Sequence, residues 1–312
     1  MLSRRSVRIK IIQLLYSMDR DSELSFKEVQ KKYKTSIEDS YNLFLFTLYN
    51  IYRIVESANA DEKHRKSKHL PGDFDKAFTN KLFTNPTVAN ITSSKGLQKK
   101  FKDLGFDAIQ NADFYKKIYE EFSKTEAYKE YIMTESQDDS PAHVEILLEL
   151  FRFCRKSEYF EEVLEDKYPC WIDDKSLVVG VIKKYLKILA SSPEEYLSYY
   201  PDAETTNEFG ETLLNTINKN DSELMKIIES VLKNWDSERL AIIDTIILKL
   251  SLCEMIHFVS IPCKVTINEY VEISKTYSTD KSKEFINGVL DTLMKDLTEQ
   301  GAIKKTGRGL VE

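Results

Sequence analysis

The sequence predicts an all-α protein. Glycine and proline are scarce, with 9 and 7 copies among 312 residues. So few turn-forming residues disfavour an antiparallel β architecture and a glycine-rich phosphate-binding fold. Lys, Glu, Leu and Ile recur instead at helical spacing along the chain. The 42% hydrophobic content, with 11% aromatic residues, is enough to fill one large core or two domains.

The first predicted helix covers residues 3–19. Apolar side chains follow the i, i+4, i+7, i+8 spacing of one helix face, beginning with Val7 and Ile11. Further apolar residues lie on its other side. Such a helix is central in a bundle or covered by a partner, and solvent access is expected at its arginine-bearing first turn. A second helix is predicted for residues 36–57, which are rich in Phe, Leu and Tyr.

The middle of the chain is interrupted by charged residues and breakers. From residue 58 onward it contains short aromatic-bearing segments and breaker sequences such as LPGDFD at 70–75. Ser140-Pro141 supplies an N-cap and a first-turn proline for a helix with the sequence VEILLELFRFC. Residues 176–189 predict another amphipathic helix, and Ser192 with Glu195 fits a capping box after it.

The last third predicts five helices joined by short loops, at 206–219, 221–234, 238–257, 264–277 and 283–297. Thr266 and Glu269 fit a capping box for the fourth helix. The fifth helix carries one continuous apolar stripe that includes Phe285.

The protein is acidic overall, with 51 Asp and Glu against 45 Lys and Arg. This balance argues against coating of nucleic acid through bulk charge, but it says little about local potential. Arg4, Arg5, Arg8 and Lys10 lie within the first ten residues, and other basic clusters occur at 61–69, 99–102 and 304–308. Such clusters are usually solvated faces, so a phosphate-binding role for the opening cluster needs further support.

Neither a metal site nor a catalytic site is evident. Cys154, Cys170, Cys253 and Cys263 are too far apart for a CxxC pair, and no histidine falls beside them at metal-ligand spacing. We expect reduced core thiols and no cofactor. No nucleotide-binding glycine motif is present, so an enzyme is not expected. No apolar run has signal-peptide or membrane-span length, so we expect a cytoplasmic protein without a membrane partner.

Three motifs follow one another within residues 235–297. R-x-x-x-x-D-x-x-I-L-x-L begins at Arg239, P-x-K-V-x-I-N-E begins at Pro262, and K-S-x-x-F-x-N-G-V-L-D begins at Lys281. Together they closely resemble the C-terminal half of NusB, a family of bacterial transcription antitermination factors. The opening RRSVRIKIIQLLYSMD is similar to the family's arginine-rich start, with Gln13 and Tyr16 in matching places.

The resemblance implies an all-α, NusB-like core of two packed helical bundles with a long helical insertion. On this basis residues 1–57 and 206–298 form the two parts of the core, 58–205 form a helical insertion of unknown role, and 299–312 form a flexible basic tail. It also implies a non-catalytic RNA-binding factor that pairs with the small-subunit ribosomal protein called NusE. The pair would bind single-stranded boxA-type RNA and support ribosomal RNA transcription, with other elongation factors and RNA polymerase as indirect partners.

The family's functional positions can be carried over one by one. The implied RNA contacts come from the chain start and the C-terminal half, namely Arg4, Arg5, Arg8, Gln13, Tyr16, Lys264, Tyr277, Lys281, Ser282 and Phe285. Asp244 matches an acidic position that the family links to its ribosomal partner. A carboxylate there is suited to contact a basic ribosomal protein. The sequence departs from the family pattern at Ser6, which interrupts the arginine run, and at Cys263, where an aromatic is frequent.

Three alternatives stay open. Phe285 lies on an apolar stripe, so core packing competes with base stacking. Asp244 is by default a solvent-side carboxylate paired with a neighbouring cation. The protein as a whole can also be a non-catalytic interaction scaffold, whose helical insertion is the working surface and whose tyrosine-rich helices contact protein partners.

Overall fold

A computed structural model of the protein describes residues 1–67, 69–70, 72–109, 112–135, 137, 140–232, 240–279 and 281–310. Within these residues it contains fourteen α-helices and no β-strand, so the all-α prediction is confirmed. The helices are α1 (Arg4–Arg20), α2 (Phe26–Lys66), α3 (Asp73–Ala77), α4 (Pro86–Ser93), α5 (Lys95–Asp103), α6 (Ala112–Phe122), α7 (Glu126–Met133), α8 (Ala142–Cys154), α9 (Glu158–Lys167), α10 (Trp171–Ile188), α11 (Thr212–Val231), α12 (Ile242–His257), α13 (Cys263–Tyr277) and α14 (Ser282–Glu299).

The chain divides into two compact units. The terminal unit comprises residues 2–37 and 201–312, and the central unit comprises residues 38–200 together with Met1. The boundaries predicted from the sequence fall after residues 57 and 205 instead. Residues 38–57 belong to the central unit because their Phe, Leu and Tyr side chains are buried in its core.

In the terminal unit, α12 is the central helix. It packs against α1, α11, α13 and α14. Its side chains are buried on all sides from Ile246 to Met255, with the exception of Lys249. A helix that is apolar around its circumference is stable only when neighbours surround it. The other helices of the unit therefore take their positions from α12.

The predicted bounds of α1, α13 and α14 agree with the structure within two residues. Ser3 caps α1, because its hydroxyl accepts a hydrogen bond from the Ser6 N–H at 3.2 Å. The two helices predicted at 206–219 and 221–234 are wrong as separate elements, since α11 runs continuously through both. Asn220 does not break it, because its side-chain amide donates to the Thr216 carbonyl one turn back.

A π-helical turn, Glu204–Glu211, leads into α11 and packs against α1. A Cβ atom on Gly210 would lie 1.9 Å from the Tyr33 hydroxyl oxygen and 2.7 Å from a methyl group of Val7. The Tyr33 hydroxyl in turn donates to the Thr206 carbonyl at 2.8 Å. This close approach requires glycine at position 210, and it fixes the π-helical turn beside α1.

The central unit is built around a core rich in aromatic side chains. Phe46 and Tyr49 of α2 pack against Phe106, with ring centroids 5.1 and 5.5 Å apart, and Phe101 of α5 packs against Tyr49 at 5.2 Å. α2 extends beyond its predicted segment at both ends, and α10 begins earlier than predicted, at Trp171. The capping box predicted at Ser192 is wrong, because its side chain makes no capping hydrogen bond.

Two residues of the segment predicted as a flexible tail, Lys305 and Thr306, make specific contacts. The Lys305 ammonium donates to the Phe258 carbonyl, and the Thr306 N–H donates to the Val259 carbonyl, each at 3.0 Å. The tail is therefore attached to the connection between α12 and α13. Within the described ranges, none of the α-helices combines the length and the apolar character of a membrane-spanning segment.

Candidate nucleic-acid interface

Arg8 does not lie at a solvent-exposed helix start, which corrects the expectation from the sequence. Its side chain is only 3% exposed, and it forms a two-point ion pair with the fully buried Glu254 of α12. The Arg8 Nε and Nη2 atoms lie 2.8 and 2.6 Å from the two Glu254 carboxylate oxygens. Because this pairing uses the fork of the guanidinium inside the protein, Arg8 is a structural residue that joins α1 to α12.

Glu254 accepts two further hydrogen bonds from α13. The Thr266 hydroxyl donates at 2.8 Å and the Tyr270 hydroxyl at 3.4 Å. Burial disfavours the charged form of Arg8, but the hydrogen bond and negative charge of Glu254 outweigh it, so the pKa of Arg8 is raised. The capping box predicted from Thr266 and Glu269 is wrong. α13 begins at Cys263, so Thr266 already lies inside its first turn.

A signal for this buried pair was present in the sequence. Glu254 is the single carboxylate between Ile246 and Met255, a stretch of α12 that is apolar apart from Lys249 and Ser251, and a buried carboxylate requires a cation or several donors. Arg8 and Ile12 are spaced i, i+4, so they lie on the same face of α1, and Ile12 is also buried. Both positions are buried in the structure, but the sequence predicts solvent access at the first turn of α1, and spacing alone does not show that the two residues meet.

Arg4 and Arg5 remain accessible at the start of α1. Arg5 is half exposed and contacts both carboxylate oxygens of Glu269 on α13 at 2.8 Å. The hydrogen bond from Arg5 lowers the pKa of Glu269 below its usual value, although partial burial opposes the shift. Arg4 pairs with the exposed Glu204 at 3.0 Å and lies over the ring of Phe209. Both arginines therefore have protein partners, but these pairs are open to solvent.

Further exposed lysines lie on α13 and at the start of α14. Lys264 on its first turn and Lys281 and Lys283 at the start of α14 are exposed, and none of the three makes an ion pair in the described part of the chain. Glu272 of α13 has a lowered pKa, chiefly through a hydrogen bond from Lys275, with smaller contributions from the charges of Arg5 and Lys283. Arg5 of α1 and Lys283 of α14 thus act on the same carboxylate of α13. Lys283 was not predicted, although it lies beside Lys281 in the motif.

Ser282 and Asp244 lie together inside the terminal unit rather than on its surface. The Ser282 hydroxyl donates to one Asp244 carboxylate oxygen at 2.7 Å, and the Ser278 hydroxyl donates to the other. Asp244 is 6% exposed and Ser282 is 4% exposed. These contacts fix the connection between α13 and α14. Two expectations for Asp244, a partner contact and a solvent-side ion pair, are therefore corrected. Its carboxylate is buried, and both of its oxygens accept hydrogen bonds from serine hydroxyls.

The remaining predicted residues are less buried. Tyr16 is 42% exposed, so its ring is open to solvent. Gln13, Tyr277 and Phe285 are half-buried and already make interactions inside the protein. Arg239 of the first motif lies outside the described residues. No group of histidine, cysteine or carboxylate side chains that could hold a metal occurs among the residues described.

Comparison with known proteins identifies the class of protein. The family model described as "NusB family" matches residues 174–295. "Transcription antitermination protein NusB" of Salinibacter ruber is 41% identical over 107 residues, which are 34% of this chain and 67% of the relative. The protein of the same name in Bacillus mycoides is 44% identical over 92 residues, which are 30% of this chain and 71% of the relative. These relatives place the chain among transcription antitermination proteins.

The chain belongs to the NusB family, whose members are non-catalytic transcription antitermination factors. A further relative, from Chloroherpeton thalassium, is 39% identical over 32% of this chain and 47% of its own length. The solved structure titled "T. maritima NusB, P3121, Form 2" is 26% identical, covers 46% of this chain and 80% of its own, and has a TM-score of 0.30. The family model matches α12, α13 and α14 but not α1, so the role of the opening arginines stays a prediction.

Proposed function

We propose that this protein is an RNA-binding antitermination factor that pairs with NusE, binds single-stranded boxA-type RNA and supports ribosomal RNA transcription in the cytoplasm. One observation carries the proposal. Arg5 of α1 pairs with Glu269 of α13, and the charges of Arg5 and of Lys283 on α14 both act on Glu272 of α13, within a NusB-family domain. Other elongation factors and RNA polymerase would be indirect partners of such a complex.

The arginines at the start of α1 can exchange their carboxylate partners for RNA phosphates. Exposed ion pairs such as Arg4 with Glu204 and Arg5 with Glu269 contribute about 0–1 kcal/mol each, so a phosphate can replace the carboxylate at small cost. Arginine then gains a two-point contact with phosphate oxygens. Lys264 and Lys281 need not give up an ion pair. Each phosphate that is neutralised releases counterions, so binding should weaken with salt.

Recognition of bases requires flat side chains beside these cations. Single-stranded RNA is commonly bound by stacking of bases on aromatic rings, with a free energy of about 1–3 kcal/mol per base. Tyr16 is the most accessible predicted ring, and Tyr277 and Phe285 are half-buried. We propose base contact for Tyr16 and Tyr277, and for the accessible edge of Phe285. With Asp244 buried, we assign no individual residue to NusE.

A scaffold role for the central unit is a second candidate. The matched part of each relative covers about a third of this chain. The central unit has exposed apolar side chains at Ile172, Leu197 and Tyr200, which are suited to protein contacts. In this alternative the central unit binds a protein partner and RNA affinity is residual.

A salt titration of RNA binding separates the two candidates. Fluorescence anisotropy would compare boxA-like with scrambled RNA, with and without NusE, for the complete chain. We expect a preference for boxA that NusE strengthens. Equal affinity for both RNAs at every moderate salt concentration would contradict the antitermination role and favour the scaffold.

Arg4→Gln with Arg5→Gln tests the site itself. Two lost phosphate contacts should lower the slope of log affinity against log salt by about 1.4, at about 0.7 per contact for single strands. Lys31→Gln with Lys32→Gln is the matched control, because it removes two exposed charges from α2 in the same unit. Helicity by circular dichroism should be unchanged in both variants. An equal effect of both pairs on RNA binding would show that bulk charge alone is responsible.

A further inference from the structure

α5 carries four exposed lysines on a short helix of the central unit, Lys95, Lys99, Lys100 and Lys102. On the opposite side, Leu97 and Phe101 are buried in the core. Lys95, Lys99 and Lys102 are spaced i, i+4, i+7, so they form one stripe about 10 Å long at a rise of 1.5 Å per residue. Lys100 lies beside the stripe.

These lysines make no ion pair in the described part of the chain. Other cations of the central unit do pair with carboxylates, including Arg53 with Glu56 and Arg65 with Asp61. The neighbouring Asp103 is exposed but does not pair with the stripe. In a chain with a net charge of −6, four unpaired cations on nine residues form a local positive surface.

Stabilisation of the helix explains only part of this charge. Lys100 and Lys102 lie in the last turn of α5, where the helix dipole favours a cation. Lys95 is the first residue of the helix, where the dipole disfavours it, and the first turn carries no acidic residue of its own. Ser94 caps α5 by accepting a hydrogen bond from the Leu97 N–H, and its own hydroxyl donates to Glu194. The position of Lys95 is therefore not explained by the stability of α5.

A groove of about 470 Å³ runs beside the stripe, between α5, α2 and the turn at 106–108. Lys99 and Lys102 line one wall and Arg53 the other. The two carboxylates of the groove are already engaged. Glu56 accepts from the Tyr52 hydroxyl at 2.5 Å and pairs with Arg53, and Asp107 accepts from Tyr49 and Arg53. The groove is therefore lined by more cations (Arg53, Lys99 and Lys102) than carboxylates (Glu56 and Asp107), and its excess positive charge lies on the rim lysines.

We propose that the lysine face of α5 is a second RNA-binding surface, which contacts the phosphate backbone of a single strand outside the boxA element. The proposal rests on the proposed function for its ligand, and it adds a contact in the central unit that the family match does not include. Charge complementarity supports a polyanion as the occupant. Backbone contacts of this kind add affinity without reading sequence.

The test compares two RNAs, boxA alone and boxA followed by an unstructured extension, by fluorescence anisotropy in a salt titration. The variant carries Lys99→Gln, Lys100→Gln and Lys102→Gln in the complete chain. Three lost phosphate contacts should lower the salt slope for the extended RNA by about 2, which corresponds to about 50-fold weaker binding at 0.15 M salt. Binding of boxA alone should change less, and the preference for boxA over scrambled RNA should stay.

Lys124→Gln, Lys183→Gln and Lys187→Gln form the matched control, since these lysines are exposed on other segments of the central unit and make no ion pair among the described residues. The control should bind extended RNA like the unmodified chain. An equal loss in both triple variants, or no loss in the α5 variant, would overturn the second surface.

If the unmodified chain prefers boxA while the α5 variant is unchanged, only this inference fails. If the unmodified chain shows no preference for boxA, the proposed function itself fails. Absence of any RNA binding would overturn both.

Discussion

Removal of the Arg8 guanidinium should destabilise the terminal unit far more than loss of the exposed arginine beside it. Arg8→Met leaves the Glu254 carboxylate fully buried, with only the hydroxyls of Thr266 and Tyr270 as donors. Breaking a buried pair by removing one partner costs about 3–5 kcal/mol, because the remaining charge has no counterion. Arg5→Met breaks a half-exposed pair instead, which costs at most about 1 kcal/mol.

Native-state hydrogen exchange read by mass spectrometry measures this difference. The amides of α1, α12 and α13 report the opening free energy of the terminal unit separately from that of the central unit. This free energy should fall by about 3–5 kcal/mol in Arg8→Met and by less than about 1 kcal/mol in Arg5→Met. Equal effects of the two substitutions would refute the assignment of Arg8 as a buried structural cation.

A second substitution distinguishes the ion pair from the packing of the arginine side chain. Arg8→Met combined with Glu254→Met removes both charges, and replacement of a buried pair by apolar residues of similar volume is often neutral. The double variant should therefore recover at least about 2 kcal/mol relative to Arg8→Met alone, which a double-mutant cycle measures as a coupling energy. A double variant as unstable as the single one would show that lost packing, and not an unpaired carboxylate, is the cause.

Two further predictions concern Gly210 and Glu269. Gly210→Ala places a Cβ 1.9 Å from the Tyr33 hydroxyl oxygen, so it should destabilise the terminal unit by about 1–3 kcal/mol in the same exchange experiment; unchanged exchange would contradict the close approach. The lowered pKa of Glu269 means that its pair with Arg5 adds stability above pH 4.5, and this stability is lost as the pH falls through the lowered pKa. Arg5→Gln should raise that pKa toward its usual value in a carboxyl NMR titration, and an unshifted titration would contradict the pairing.

The helices of the terminal unit could be predicted because their signals are local. α1, α13 and α14 each carry apolar residues at helical spacing, so their bounds follow from short stretches of sequence. The error at α11 also has a local cause. Asn220 is common in turns, but its side chain satisfies a carbonyl of the preceding turn and the helix continues.

The candidate site was harder to predict because each role depends on a partner distant in sequence. Arg8 and Arg5 are three residues apart, yet one meets a buried carboxylate on α12 and the other an exposed carboxylate on α13. Asp244 looks like a surface residue in sequence, and only the return of Ser282 to its side reveals a buried role. A family motif identifies these positions as important, but it does not separate residues that hold the fold from residues that meet a ligand.

The buried pair and the accessible arginines are connected through α1. Arg8 attaches this helix to Glu254, and Glu254 is held in turn by Thr266 on α13. Since Arg4 and Arg5 lie one turn before Arg8, the same attachment determines where their guanidinium groups reach the surface. Preorganised cations lose less conformational entropy when they bind a phosphate than cations on a disordered chain end. In the proposed function, Arg8 would raise RNA affinity without contacting RNA, by holding Arg4 and Arg5 in place on a protein with a net charge of −6.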